Sequence, residues 1–499
     1  MNIRLPHADD IVLGTTASPL PIPQFRLSRE DQAYHATVWG ITGSGKSRLL
    51  QSVFLQHLNK KHGVALLEPH HDLSYETLVY LIGRHFFDDD AAFDRLVYLD
   101  WGNGAYAPFN ILADDGRTDD HTRALNALEG MLRVWPELTD APMFQTLFLV
   151  CAMCLQAAKL PITFTYQLLT DINFRSTCLS KVSDPLIGQT FGWFDKLGRD
   201  QANLAGSLIR RAFLLSFSPY ARNTLGQPDN WLNFRKWMDE GKSFIINLGN
   251  INDAETRKLI GAMLLVQVEQ AALSRTDLPP SERTPCTLLI DEWPAFAAQE
   301  KTLSGVLSQT RKFGLRLWLA AQSMSQISSD RLSGALENCR LTIAFGLGRD
   351  SAEIQAKHIG KADPFVIKEE ALTMTQHSQY LSVPDQFEQW TSALQDLSPR
   401  MAYVKLNNKP AAKIRTLNVP DVQVDPLEIK TVLAECRRRY QRTKEEADAA
   451  IAAINLPGST IQGSASTADA VEPAPFQPRP AYTKLFGKGG NGVKDDLVN

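Results

Sequence analysis

Apolar residues in the early part of the chain come in short, nearly unbroken blocks: Ala36-Thr37-Val38-Trp39, Val64-Ala65-Leu66-Leu67 and Leu96-Val97-Tyr98-Leu99, with helical periodicity between them. Such blocks are too short for helices and too continuous for half-solvated strands. They predict strands buried on both faces, hence a mostly parallel βαβ sheet. From about Asp119 to Trp237 the strand pattern fades. Leu125, Leu128, Met131 and Leu132 recur at helical spacing, as do Leu204, Leu208 and Ala212, which predicts a helical domain inserted into the sheet. Strand blocks resume at Phe244–Leu248, Thr287–Ile290, Leu315–Leu319, Leu341–Phe345 and Ala402–Leu406.

The two ends read differently. Up to about Glu30, short apolar runs alternate with Pro19, Pro21 and Pro23, which suits a small β-rich segment. After Pro426 one charged helix is expected to run to about Asn455, and beyond Pro457 the composition turns to Gly, Ser, Ala and Pro, which predicts a disordered tail. The expected division is a β-rich segment over 1–34, a sheet domain over 35–117 and 238–425, an all-helical insertion over 118–237, a charged helix over 426–456 and the tail over 457–499.

Length and composition narrow the class. At 499 residues the chain exceeds one ordinary core, and its 44% apolar and 21% charged content is that of a soluble globular protein. A formal net charge of −3 argues against nucleic-acid binding over the whole surface but allows a locally basic channel. The opening Met1–Asp10 carries no apolar signal core. The most apolar run, Phe144–Ala158, contains Gln145 and Gln156 and falls short of the roughly 20 residues of a membrane span, so it reads as a buried helix. Six cysteines suggest a reducing compartment, and the Cys151-x-x-Cys154 pair inside that apolar helix reads as buried thiols rather than zinc or redox chemistry.

Candidate chemistry begins between the first strand and the Arg48–Leu55 helix. Gly40-Ile41-Thr42-Gly43-Ser44-Gly45-Lys46-Ser47 is a complete G-x-x-x-x-G-K-S loop. Its glycines let backbone amides converge on phosphate oxygens, Lys46 reaches those oxygens, Ser47 ligates Mg²⁺, and the helix adds its positive end. This makes the sheet a nucleoside-triphosphate-binding domain. Thr287–Ile290 ends in Asp291-Glu292, an apolar strand delivering two carboxylates: Asp291 for the metal ion, Glu292 to polarise the attacking water. Gln322 follows the strand ending in Ala320-Ala321, where it can contact the γ-phosphate or that water. Arg311, placed before that strand, has the fork geometry for a transferring phosphate and could serve a neighbouring subunit.

Taken together these segments resemble the FtsK/HerA superfamily of ring-shaped DNA-pumping ATPases, and within it the conjugative coupling proteins of type IV secretion. The likeness is carried by HATVWGITGSGKS (35–47), VALLEPHHDL (64–73), VYLDWGNGAYAPFNIL, LLIDEWPAF, SQTRKFGLRLWLAAQS and NCRLTIAFGLGRDSAEI, and spans about residues 35–360. It implies a RecA-like, mostly parallel P-loop ATPase sheet with an inserted all-helical domain. It also implies ATP and Mg²⁺ as cofactors, with Gly40, Thr42, Gly43, Ser44, Gly45, Lys46, Ser47 and Asp291 binding them. Glu292 and Gln322 take catalytic roles, Arg311 is the finger acting in trans, and Arg349 is a second finger candidate. Two departures stand out. The family's Asp-Pro-His-Gly-Asp turn is here Glu68-Pro69-His70-His71-Asp72, where a helical or extended residue is expected in place of the glycine. The membrane-spanning helices with which typical coupling proteins begin are also missing.

The function implied is an ATP-driven DNA translocase acting as a homo-oligomeric ring, expected to be a hexamer, that moves mobile-element DNA to or through a type IV secretion apparatus. The helical domain and tail would engage relaxosome or secretion-channel components, and the location would be cytoplasmic, with inner-membrane association through partners. The alternatives are a HerA-like translocase in DNA repair or phage defence, a protein-secretion ATPase, or a nucleotide-dependent scaffold that recruits substrates without translocation. Arg210-Arg211, Arg222 and the Arg437–Arg442 cluster are the candidate basic groups for DNA.

Overall fold

The computed structural model describes residues 7–16, 24–60, 62–198, 201–296, 307, 309–324, 338–369 and 379–454. In chain order the strands are β1 (Ile11–Thr16), β2 (Gln24–Leu27), β3 (His35–Trp39), β4 (Gly63–Glu68), β5 (Leu96–Asp100), β6 (Ala105–Tyr106), β7 (Ser243–Asn247) and β8 (Cys286–Ile290). They continue with β9 (Leu315–Ala321), β10 (Cys339–Ala344), β11 (Ile367–Glu369), β12 (Gln379–Tyr380), β13 (Met401–Leu406), β14 (Ala412–Thr416) and β15 (Arg442–Thr443). Eleven of them form one sheet in the order β2-β1-β14-β13-β10-β3-β9-β8-β4-β7-β5.

From β10 to β5 every neighbouring pair is parallel. Alternate side chains enter opposite cores. Leu67, Leu99, Ile246, Leu288 and Leu319 join one hydrophobic cluster with the inserted helices. Leu66, Tyr98, Ile245, Leu289 and Ala320 join the other with Leu49, Val53 and Leu78 of the helices Lys46–Leu58 and Asp72–Gly83. A parallel sheet covered on both faces is what continuous apolar strand blocks require. The α/β architecture expected from the sequence is the one observed.

The expectation needs amendment in three places. The N-terminal strands form no separate unit: β1 pairs with β14 and β2, extending the sheet antiparallel beyond β13. In the helix Asp120–Val134 the inward residues are Ala124, Ala127, Leu128 and Met131, whereas Leu125 is exposed. The single charged helix after Pro426 is two helices, Pro426–Tyr440 and Lys444–Ala452. Gln441 is extended between them because its side chain bonds the backbone of Asp100 in both directions. Arg442–Thr443 then pair with β6, and Thr443 opens the second helix with a reciprocal cap to Glu446.

The apolar run is the buried helix Pro142–Ala157, and among the described residues no helix is long and apolar enough to cross a membrane. All six cysteines are free and buried, with burial pushing the Cys154 thiol up to about 12. No group of three metal-ligating side chains occurs among the described residues. Residues 457–499, including Tyr482–Phe486, lie outside those described.

Candidate nucleotide site

The phosphate loop leaves the end of the central strand β3 and is pinned on both sides. Gly40 N–H donates to Ala321 O (3.3 Å) at the end of β9, and Ile41 N–H to Gly346 O (2.9 Å) beyond β10. Gly43 and Gly45 have φ of +76° and +111°, which side-chain-bearing residues rarely adopt. A Cβ on Gly40 would come within 2.6 Å of Ser44 Oγ and 2.7 Å of Phe345 Cβ. The loop shape therefore depends on its glycines. Lys46, buried at the start of the following helix, folds back to donate to the carbonyls of Gly40 and Ile41. Burial lowers its pKa, opposed by the nearby charges of Asp291 and Glu292.

The sheet order decides what meets this loop. Strand β9 lies between β3 and β8, so Gln322 emerges between the phosphate loop and the Asp291-Glu292 pair. Ser47 Oγ is 3.5 Å from Asp291 Oδ2, and Thr42 Oγ1 is 3.3 Å from Gln322 Oε1. Asp291 follows β8 directly and is tied to β4 by its N–H donating to Leu67 O (3.1 Å). Burial raises its pKa, while Lys46 and His70 pull it down. Glu292 sits in the left-handed region (φ +55°) and accepts from the Gln322 backbone N–H. Burial, then the charge of Asp291, raises its pKa, and its Oε1 is buried without a partner. A glutamate in that backbone conformation is costly, and such strain collects where a side chain must be aimed.

These groups suit a triphosphate with a divalent cation. Ser47 and Asp291 offer the hard oxygen donors Mg²⁺ prefers, Lys46 could meet phosphate charge, and the unpartnered oxygen of Glu292 could accept a proton from water. Such an ion, when bound, would neutralise phosphate charge between Ser47 and Asp291.

The Glu68–Asp72 turn corrects one expectation. His71 is neither helical nor extended: it holds φ +82°, the glycine conformation. The reason is contact. Gly249 packs so closely that a Cβ on it would lie 2.3 Å from His71 N, and the amides of Asn247 and Asn250 reach His71 Nδ1 at 2.7 and 3.3 Å. Glu68 caps the next helix by accepting from Leu73 N (2.9 Å) and Ser74 N (2.5 Å), and burial nonetheless pushes its carboxyl up to about 7.

The structure brings Thr42, Lys46, Ser47, Asp291, Glu292 and Gln322 together and leaves both finger candidates apart from them. Arg311 is exposed in the short turn Thr310–Phe313 before β9, at the far end of the sheet, with its guanidinium 4.1 Å from the Tyr34 ring. Arg349 starts the helix Arg349–Ile359 and is held by Glu388 in a bidentate pair (2.6 and 2.8 Å) and by Glu353 (2.5 Å).

Of the basic residues considered for DNA, most are ion-paired within the chain. Arg211 meets Glu137, Arg222 meets Asp448, Arg437 meets Asp100, Arg439 meets Asp90, and Arg442 meets Asp229.

Arg400 has no local sequence signature, yet it touches the loop. Held at φ +68°, it donates its N–H to Ser44 O (2.8 Å), while Thr416 N–H donates to its carbonyl (2.9 Å). The antiparallel extension thereby grips the phosphate loop from behind.

With this geometry in place, likeness to known proteins can be stated. Residues 285–392 match the family model described as the TraM recognition site of TraD and TraG. No curated protein matches the sequence. Among solved structures, the bacterial conjugative coupling protein TrwBdeltaN70 in an unbound form shares 19% identity at a TM-score of 0.58, over 80% of this chain and 89% of that one. The plasmid coupling protein TrwB in complex with ADP and Mg²⁺ shares 18% at a TM-score of 0.56, over 83% and 91%. VirB4 of Thermoanaerobacter pseudethanolicus shares 11% at a TM-score of 0.50, over 84% and 98%. The resemblance to type IV secretion coupling proteins read from the motifs is thus met twice, by a family match in the second half of the nucleotide fold and by a shared fold over most of the chain.

Proposed function

We propose that this protein is an ATP-driven DNA translocase that works as a ring, expected to be a hexamer, and serves a type IV secretion apparatus in the manner of a coupling protein. The observation that carries the ATPase reading is the meeting of Lys46 and Ser47 with Asp291 and Glu292 at the ends of two strands separated by β9. The likeness to coupling proteins supports DNA as the cargo. It also supports relaxosome components as partners of the segment that matches the TraM-recognition family.

In this reading the loop amides, Lys46 and Ser47 hold the β- and γ-phosphates with Mg²⁺, which Asp291 helps to retain. Glu292 orients and deprotonates the attacking water, and Gln322, bridging Thr42 and the Glu292 backbone contact, registers whether the γ-phosphate is present. Arg311, before β9 and away from its own phosphate loop, would serve a neighbour's phosphates, which makes hydrolysis depend on ring assembly. The proposed location is cytoplasmic.

The deciding experiment is ATP turnover by the purified chain with and without single- or double-stranded DNA. Stimulation is expected. Turnover without stimulation would favour the recruiting scaffold, and absence of turnover would end the ATPase reading.

A further inference from the structure

The Glu68–Asp72 turn beside the carboxylate pair is tied to the far end of the sequence by an unbroken set of hydrogen bonds. Arg437, on the helix Pro426–Tyr440, donates to Asp100 Oδ2 at 2.7 Å. The other oxygen, Oδ1, accepts from Asn250 Nδ2 (2.8 Å) and Asn247 Nδ2 (3.2 Å). The same two amide nitrogens reach His71 Nδ1, so that ring nitrogen is the acceptor and the proton sits on Nε2. The His71 ring also stacks on Tyr75, with centroids 5.2 Å apart. Asp100 is buried, so these few donors take the place of the water its side chain has lost. His71 is the residue whose backbone is held at φ +82°, and its turn follows Leu67, whose carbonyl accepts from Asp291 N–H (3.1 Å).

We propose that Arg437 is a positioning residue for hydrolysis: through Asp100, Asn247, Asn250 and His71 it fixes the turn that follows Leu67, the residue whose carbonyl is bonded to Asp291. This rests on the ATPase reading above. The chemistry suits the task. A carboxylate with both oxygens engaged, one by a guanidinium and one by two amides, holds the asparagines in a single orientation, and these in turn set the imidazole. A glycine at position 71 would adopt the same φ freely, but it would carry no ring for the asparagines to hold. The histidine thus converts a local turn into one governed by the C-terminal helix. That helix lies along edge strand β5 and outside residues 35–360, the span of the sequence resemblance, so this control reaches the turn from beyond the motif-bearing part of the chain.

The test has two arms on the full-length chain. Without nucleotide, deuterium uptake across residues 68–76 should rise in Arg437→Ala and in His71→Gly, and uptake unchanged from wild type overturns the proposal whatever the fate of turnover. With ATP, Arg437→Ala should lower kcat roughly tenfold with KM within about twofold, and Arg437→Lys should recover part of it. The double variant Arg437→Ala/His71→Gly should be no worse than the slower single variant, because both cut one path, whereas losses that multiply overturn it. Should Arg437→Ala fail to fold around the unpaired Asp100 carboxylate, Arg437→Met with Asp100→Asn replaces it in both arms. Wild-type chain with no turnover would refute the ATPase reading, leaving the exchange arm to judge this inference.

Discussion

The two ends of strand β9 carry opposite chemistry. Where it finishes, Gln322 stands against Thr42 and the Glu292 contact, in a site whose buried carboxylates outnumber the one lysine facing them. Where it starts, the guanidiniums of Arg311 and Arg340 both lie over the Tyr34 ring, at 4.1 and 4.3 Å, and no salt bridge to either is recorded among the described residues. Seven strand residues span roughly 23 Å, too far for Arg311 to serve its own loop. One end lacks a cation that the other end offers. In the proposed ring, copies arranged head to tail would bring one end of β9 to the other, a heterologous contact that closes where its rotation allows.

The contrast can be broken in order of effect. Lys46→Ala should abolish nucleotide binding and turnover while circular dichroism stays native, and retained turnover would remove the acidic end from the argument. Arg311→Ala should bind ATP normally but hydrolyse it about 10³-fold more slowly. Mixed with Glu292→Gln, also inactive alone, it should regain measurable turnover, because shared interfaces then pair an intact carboxylate with an intact arginine. No recovery would deny the trans arrangement. Arg349→Ala should change turnover less than about twofold, since that side chain is already paired on the surface. A collapse there would transfer the role to it.

The smallest effect concerns Glu68. Its folded pKa of about 7 lies above its ordinary 4.5, so the folded protein holds a proton the unfolded chain has lost. The stability this contributes is complete below about pH 4.5 and is lost as pH rises through about 7. Glu68→Gln should therefore flatten the fall of Tm across that window, and an unchanged slope would place the ionised carboxylate in the folded state throughout.

What the sequence disclosed, and what it withheld, follows from the range of the interactions. The phosphate loop and the Asp291-Glu292 strand end are contiguous patterns, so both were legible, as were the buried strands around them. The order of the strands was not, because it depends on packing rather than on any residue run. The antiparallel addition β1, β2, β13 and β14 was only half visible: β13 was read as a strand, whereas β14 alternates buried and exposed residues too briefly to stand out. Arg400 works through its backbone, which no residue type signals. The Arg437–Arg442 run looked like a DNA-facing patch because its partners, Asp100, Asp90 and Asp229, come from distant parts of the chain. At His71 the replacement of the family turn's glycine is visible in the sequence, but its meaning depends on Asn247 at the end of β7 and Asn250 beyond it.

The helical insertion leaves and returns through a single doorway: Trp231 N–H bonds Pro108 O (2.9 Å) and Asn110 N–H bonds Asp229 O (3.1 Å). Two polypeptide strands side by side would ordinarily act as a swivel. Here the side chains forbid it, since Met131, Phe148, Phe191 and Leu208 of the helices share one unbroken apolar mass with Leu99, Ile246 and Leu288 of the sheet. The insertion is therefore packed onto the sheet as part of one continuous core, with no freedom to swing as a tethered accessory.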